Sequence, residues 1–194
     1  MSFSQHSPVR GRSRSPALVS LVALGVLALC APARAQTTLY VSAGPSFPVG
    51  AWEKVTKTGW ILAGGALFGV GSSGFGIKVD LVYGQNGGEQ VLFEDPKWSV
   101  FSVAAIAEYA FGSPGKLRPY LIGGLGFGGH RFSAREVDPE TKTDFVYKLG
   151  AGLDVPIGGT TSLFAEGRYV GSGNEIDTQF LAVLLGLAFT LGGD

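Results

Sequence analysis

Cysteine is almost missing from this chain: Cys30 is the only one among 194 residues. It closes the apolar stretch Ala17–Cys30, which follows Arg10, Arg12 and Arg14 and precedes Ala33-Arg34-Ala35. Basic start, apolar middle and small-x-small end are what a signal peptidase reads. Residues 1–35 are therefore expected to be a signal peptide, with the mature chain starting at Gln36. The apolar stretch is too short for a spanning helix, which needs roughly 17–25 residues. A lipid anchor on Cys30 is disfavoured, because Leu29 stands where a lipobox has a small residue. Cleavage leaves no thiol, so disulfides and thiolate chemistry are excluded.

Other things are scarce as well. No apolar run in residues 36–194 is long enough for a helical span. Charge of one sign does not dominate: the chain has 15 basic and 15 acidic residues. Removing Arg10, Arg12, Arg14 and Arg34 leaves 11 basic against 15 acidic, a formal net of −4, which does not suit a nucleic-acid binder. With His6 discarded, His130 is the only imidazole, the one group of intermediate pKa available for acid-base work. No cofactor is expected.

What is present is glycine, 31 residues of it, in a chain that is 45% hydrophobic. A lipid-exposed β-barrel reconciles the two. Its outward residues are apolar and its inward ones polar or small, so the mean hides an alternation. Eight period-2 segments are separated by turn residues. They run approximately Thr38–Phe47, Gly59–Val70, Phe75–Tyr83, Val100–Phe111, Arg118–Gly128, Phe145–Val155, Ser162–Val170 and Phe180–Leu191. The third places Phe75, Ile77, Val79, Leu81 and Tyr83 on one face, with Lys78 and Asp80 on the other. In the eighth, Leu184 breaks the pattern, and both faces of the second are apolar.

The connections alternate in length. Gly71–Gly74, Gly112–Leu117 and Pro156–Thr161 are short; Pro48–Thr58, Gly84–Ser99, Gly129–Asp144 and Gly171–Gln179 are longer and polar. Outer-membrane barrels have short periplasmic turns and longer outer loops. With the N-terminus periplasmic, Phe68, Phe75, Tyr109, Phe111 and Phe189 gather at one rim. Trp60, Tyr83, Phe101, Phe127, Tyr147 and Tyr169 gather at the other. Two aromatic girdles suit two membrane interfaces. The sheet must close, because an open edge would leave unpaired N–H and C=O groups in hydrocarbon. The expected fold is all-β: an eight-stranded antiparallel up-and-down transmembrane barrel over residues 36–194.

Several segments resemble a known family. Arg118-Pro-Tyr-Leu-Ile-Gly-Gly-Leu-Gly-Phe127 and Leu163-Phe-Ala-Glu-Gly-Arg-Tyr169 look like the fifth and seventh strands of small outer-membrane barrels of the opacity-porin type. These are related to the OmpA transmembrane domain. Ser42-Ala-Gly-Pro-Ser-Phe-Pro48 is similar to their first strand. The resemblance implies residence in a bacterial outer membrane, contact with its lipids and lipopolysaccharide, and insertion by the barrel-assembly machinery. Phe189 and Leu191 then stand in for the terminal aromatic that machinery reads.

Three motifs invite chemistry. Gly123–Gly129 has the glycine density of a phosphate loop, but no helix pattern follows, and such a loop must join a strand to a helix. Glycines 124, 126 and 128 fit better as small inward residues facing long side chains. His130 suggests catalysis, since lipid A deacylases are eight-stranded barrels. Their pattern resembles His-x-Ser, whereas Ser133 lies three residues on and would face the opposite way. A solvated loop histidine is preferred. The clusters Glu89, Glu94, Asp95 and Glu136, Asp138, Glu140 could offer oxygens to calcium, but neither has EF-hand order and cations lie close by.

The most specific constellation is charged. Alternation points Lys78, Asp80, Glu108, Arg118, Lys148, Asp154, Glu166 and Arg168 inward, four cations and four anions. Ions in a narrow lumen must pair, because an unpaired buried ion is very costly. Glu108 and Arg118 flank a short turn and are the expected cross-strand pair. The favoured reading is a non-enzymatic integral outer-membrane protein with a side-chain-filled interior and a structural or surface-interaction role, its surface ligand unknown. The alternatives are a narrow porin-like channel and a lipid-modifying enzyme; a soluble periplasmic barrel is disfavoured by the outward apolar stripes.

Overall fold

A computed structural model describes residues 36–70, 74–88, 97–113, 115–134, 137–173 and 178–191. The signal peptide expected over residues 1–35 lies outside them. Eight strands follow in order: β1 (Thr37–Pro48), β2 (Thr56–Gly69), β3 (Phe75–Gly88), β4 (Lys97–Ala110), β5 (Arg118–Ala134), β6 (Val137–Gly158), β7 (Thr161–Ser172) and β8 (Gln179–Leu191). One turn of 3-10 helix, Trp52–Lys54, sits between β1 and β2. Each strand pairs antiparallel with the next, and β8 returns to β1 through pairs such as Thr37↔Leu191 and Val41↔Leu187. The sheet is a closed barrel without a free edge.

The period-2 pattern explains which side faces out. Leu39 and Val41 of β1, Leu81 of β3 and Val183 and Leu185 of β8 are exposed on the outer face. Their sequence neighbours Tyr40, Ser42, Asp80, Val82, Ala182 and Leu184 are buried in the lumen. At the end carrying the barrel's two chain termini, Phe75 lies opposite Tyr109, and Tyr109 packs edge-on against Phe111 at 4.9 Å. At the other end, Trp60 meets Tyr83 at 5.8 Å, Phe127 meets Phe145 at 6.1 Å and Tyr147 meets Tyr169 at 5.9 Å.

Glycine lets aromatic rings lie flat along the inner wall. Tyr120 is paired across the ladder with Gly152, and Phe164 with Gly186. A Cβ at either glycine would collide with the ring opposite. Inward glycines on β5 serve a similar purpose: a Cβ at Gly124 would collide with Ile106 of β4. Gly123–Gly129 is thus continuous strand within β5, with no phosphate loop in it.

Two connections expected as loops contain strand. Gly129–Asp144 forms the outer parts of β5 and β6, which stay in register to Phe132↔Glu140 and, after a one-residue shift, pair again at Ala134↔Val137. Gly84–Ser99 contributes the end of β3 and the start of β4, paired through Gly87↔Lys97. These stretches rise beyond the aromatic girdle, where the outer face no longer needs to be apolar. The alternation that reveals a membrane strand is therefore absent from them.

Candidate functional site

Among the described residues, buried charge is concentrated in the lumen, and its residues fall into tiers along the barrel axis. At the end with the termini, Arg118 of β5 faces Asp154 of β6 in the ladder, and Thr38 and Thr190 share a hydrogen bond of 3.1 Å. The Arg118 Nε is buried without a hydrogen-bond partner among the described residues.

The next tier is ionic. Lys78 of β3 bridges Glu108 of β4 at 2.6 Å and Glu166 of β7 at 3.5 Å. Tyr120 donates its hydroxyl to the same Glu166 Oε2 at 3.0 Å. Arg168 donates through Nε to Glu166 Oε1 at 2.6 Å and through Nη1 to Asp80 Oδ2 at 2.9 Å. Lys148 of β6 reaches Asp80 Oδ2 at 2.7 Å, and Tyr40 of β1 donates to Asp80 Oδ1 at 2.6 Å. The Lys78 ammonium also lies 4.9 Å from the Tyr40 ring centroid and 5.3 Å from that of Tyr120.

Three cations and three anions are thus joined by two tyrosines, with contributions from β1, β3, β4, β5, β6 and β7. Asp80, Lys148, Glu166 and Arg168 are at most 1% exposed. Each carboxylate accepts from at least one cation, which is what allows the charged forms to persist away from water. The contacts run across the lumen and not only between neighbouring strands, so the network fills the bore at this height.

One expected pair is not formed. The β4–β5 register sets Glu108 opposite Ile122, four residues from Arg118. At about 3.4 Å of rise per residue, that separates the two by roughly 14 Å along the strands. Glu108 takes Lys78 instead. Tyr40 and Tyr120 were not singled out in the sequence, although alternation places both on inward positions.

Above the ions the lumen turns apolar. Ile61, Ala63, Val82, Val170, Phe180, Ala182 and Leu184 form one buried cluster. This explains the second segment with two apolar faces and the odd Leu184: here the inside is hydrophobic too. Val100 and Val146 are buried at the same level.

The outermost tier is aromatic. Trp52, carried inward by the 3-10 turn, is fully buried. The Thr56 hydroxyl holds that turn by donating to the Trp52 carbonyl at 2.6 Å. Trp52 packs against Trp98 at 4.9 Å and His130 at 6.2 Å between ring centroids. His130 is 5% exposed, inward on β5, with Nδ1 3.9 Å from Asp144 Oδ2. The solvated loop position expected for it is therefore incorrect. The strand runs on past Gly128 and its alternation turns the ring into the lumen.

No group of three metal-ligating side chains occurs among the described residues. Glu89, Glu94, Asp95 and Glu136 lie outside them, as do the side chains of Asp138 and Glu140.

A closed antiparallel barrel, apolar outside, girdled by aromatics and ionic within, defines a membrane-spanning β-barrel of the outer-membrane kind. The model of the outer membrane protein beta-barrel domain family matches residues 20–189, and the chain belongs to that family. It is an outer-membrane β-barrel protein of the bacterial envelope. Solved structures agree on the fold. Neisserial surface protein A is 13% identical, with a TM-score of 0.61 over 80% of this chain and 97% of that one. The N-terminal barrel of Pseudomonas aeruginosa OprF is 20% identical, with a TM-score of 0.51 over 81% and 100%. Ail, the attachment invasion locus protein of Yersinia pestis, in complex with the heparin analogue sucrose octasulfate, is 17% identical, with a TM-score of 0.53 over 81% and 99%. Among curated proteins none matches.

Proposed function

We propose that this protein is a non-conducting, non-enzymatic outer-membrane barrel whose interior is a structural staple and whose outer extension meets ligands at the cell surface. A signal peptide over residues 1–35 exports it, and the barrel-assembly machinery inserts residues 36–194 among outer-membrane lipids and lipopolysaccharide. The observation that carries the reading is the cross-lumen ion network centred on Asp80, Arg168 and Glu166. An ion crossing the barrel would have to separate pairs that are shielded from water. Placement of the His130 ring against two tryptophans supports a packing role for the one imidazole.

The surface role rests on the β5–β6 hairpin. Above Phe127↔Phe145, β5 continues to Ala134 and β6 starts at Val137. Seven residues of strand reach roughly 23 Å along the strand direction beyond the girdle. A membrane strand needs only about 9–11 residues, so the excess serves something outside the bilayer.

Planar-bilayer recording of the refolded barrel tests the closed interior. No steady conductance is expected from the native protein. Steady ohmic steps that persist in the native protein would replace this reading with the channel.

A further inference from the structure

Three exposed cations stand on the outer wall at the end that carries Trp60: Lys57 of β2, Lys97 of β4 and Arg131 of β5. Each lies a few residues beyond an exposed aromatic of its own strand, Trp60, Phe101 or Phe127. The three therefore share one level, just above the girdle. Lys97 is paired with Gly87 of β3, and a Cβ on Gly87 would stand 3.8 Å from that of Lys57. The two lysines thus flank an exposed residue that has no side chain. Arg131 is paired with Ser99, which makes it the diagonal neighbour of Lys97 on the same face.

No described carboxylate stands on the wall beside them. Asp144 turns inward to His130, and Glu53 sits on the 3-10 turn. Lys97 and Arg131 take part in no ion pair among the described residues. The raised wall is also one-sided. The strands β7, β8 and β1 end at Ser172, Gln179 and Pro48, close to Tyr169, Leu181 and Phe47. Aromatic rings of a girdle settle at headgroup level, and long basic side chains can bend back towards it. Four strands at about 4.8 Å spacing spread the cations over roughly 14 Å, more than one phosphate can span. Two phosphates on a disaccharide head fit that spread, and Ser99 and Gln85, outward between cations and girdle, can bond sugar hydroxyls. We infer that the β2–β5 face binds the doubly phosphorylated glycolipid of the outer leaflet, the lipid A part of lipopolysaccharide. Its phosphates meet Lys57, Lys97 and Arg131, and its acyl chains lie along the wall below Phe101 and Phe127.

This inference rests on the proposed membrane placement, with the Trp60 end at the cell surface. The test is native mass spectrometry of the refolded barrel titrated with lipid A. Dephosphorylated lipid A and phosphatidylglycerol are the comparators. A saturable lipid A adduct is expected, tighter than that of either comparator. Lys97→Gln and Arg131→Gln should each weaken it about fivefold, the scale of one basic side chain at an anionic lipid surface. Adding Lys57→Gln to both should bring the loss to about a hundredfold. Lys116→Gln, exposed at the other end, should change nothing. Should the triple variant fail to assemble, the two single variants and the dephosphorylated lipid decide. A folded barrel that binds lipid A no better than either comparator, or equally well without these cations, overturns this inference alone. A chain that enters no lipid at all overturns the membrane placement and this inference with it.

Discussion

At the scale of single residues, Asp80 is where the interior is most exposed to damage. Its carboxylate accepts from Tyr40, Lys148 and Arg168 at once. Asp80→Ala removes the anion and leaves two buried cations with too little counter-charge. Breaking a buried pair in this way typically costs about 3–5 kcal/mol. The urea midpoint of the refolded barrel should fall accordingly, and adding Lys148→Met should recover part of the loss. Equal midpoints for Asp80→Ala and native protein would deny the network any structural weight. On the outer face one position away, Val79→Arg puts a cation in hydrocarbon and should cost about 2–4 kcal/mol if it lies near mid-bilayer. Measured together, the two variants test the register as well as the energies, because a one-residue slip exchanges the faces.

The inward charges were legible at this scale because alternation alone separates Lys78 and Asp80 from Ile77 and Val79. Partner choice was not. It depends on the stagger between strands, which places Glu108 opposite Ile122 and not beside Arg118. Nothing within either strand records that stagger. Gly152 belongs here too. Gly152→Ala drives a methyl into the Tyr120 ring. Overpacking of this kind typically costs about 1–3 kcal/mol, read as a lowered midpoint with barrel assembly retained.

At the scale of elements, membrane-crossing segments were readable and their extensions were not. Phe75–Tyr83 alternates because lipid lies on one side and the lumen on the other. Gly84–Gly88 and Gly129–Ala134 run past the girdle, where the outer face no longer has to be apolar, and the pattern lapses although the hydrogen-bond ladder continues. Trp52 escaped notice for a related reason: one aromatic turned inward by a three-residue helix has no period. The hairpin should be separable from the barrel. Replacing residues 132–140 with Asn-Gly joins Arg131 to Thr141, which already face each other. The two-residue turn matches the strand twist. The shortened protein is expected to stay heat-modifiable in gel electrophoresis, with a stability within about 0.5 kcal/mol of native, while, on the proposed surface role, adhesion of cells bearing it to host cells or matrix falls. Unchanged adhesion would move the surface role to other loops.

At the scale of the whole molecule, closure is the decisive property. The seam joins β1 to β8, with Thr37 opposite Leu191. Loss of β8 would open two edges that lipid cannot satisfy. A chain ending at Ser172 is therefore expected to yield no heat-modifiable species and no recovery in the carbonate-resistant outer-membrane fraction, where the full chain should be found. Closure was legible in the sequence from environment alone, since apolar stripes without a long apolar helix leave only the barrel.

The order of the tiers also has an electrical consequence. From the end with Trp52, the lumen passes the His130–Asp144 pair and then a layer of valines before it reaches the Asp80–Arg168–Glu166 network. From the periplasm it meets Arg118, Asp154 and Glu108 directly, and the Glu108 side chain keeps 12% of its surface open. The buried network is set back behind an apolar layer at one end and lies close to the mouth at the other. Salt screens exposed charges within about 8–10 Å at physiological strength but reaches buried ones poorly. In a vesicle with oriented barrels, added salt should therefore loosen the interior from the periplasmic side alone, giving a symmetric-looking cylinder a polarity of response.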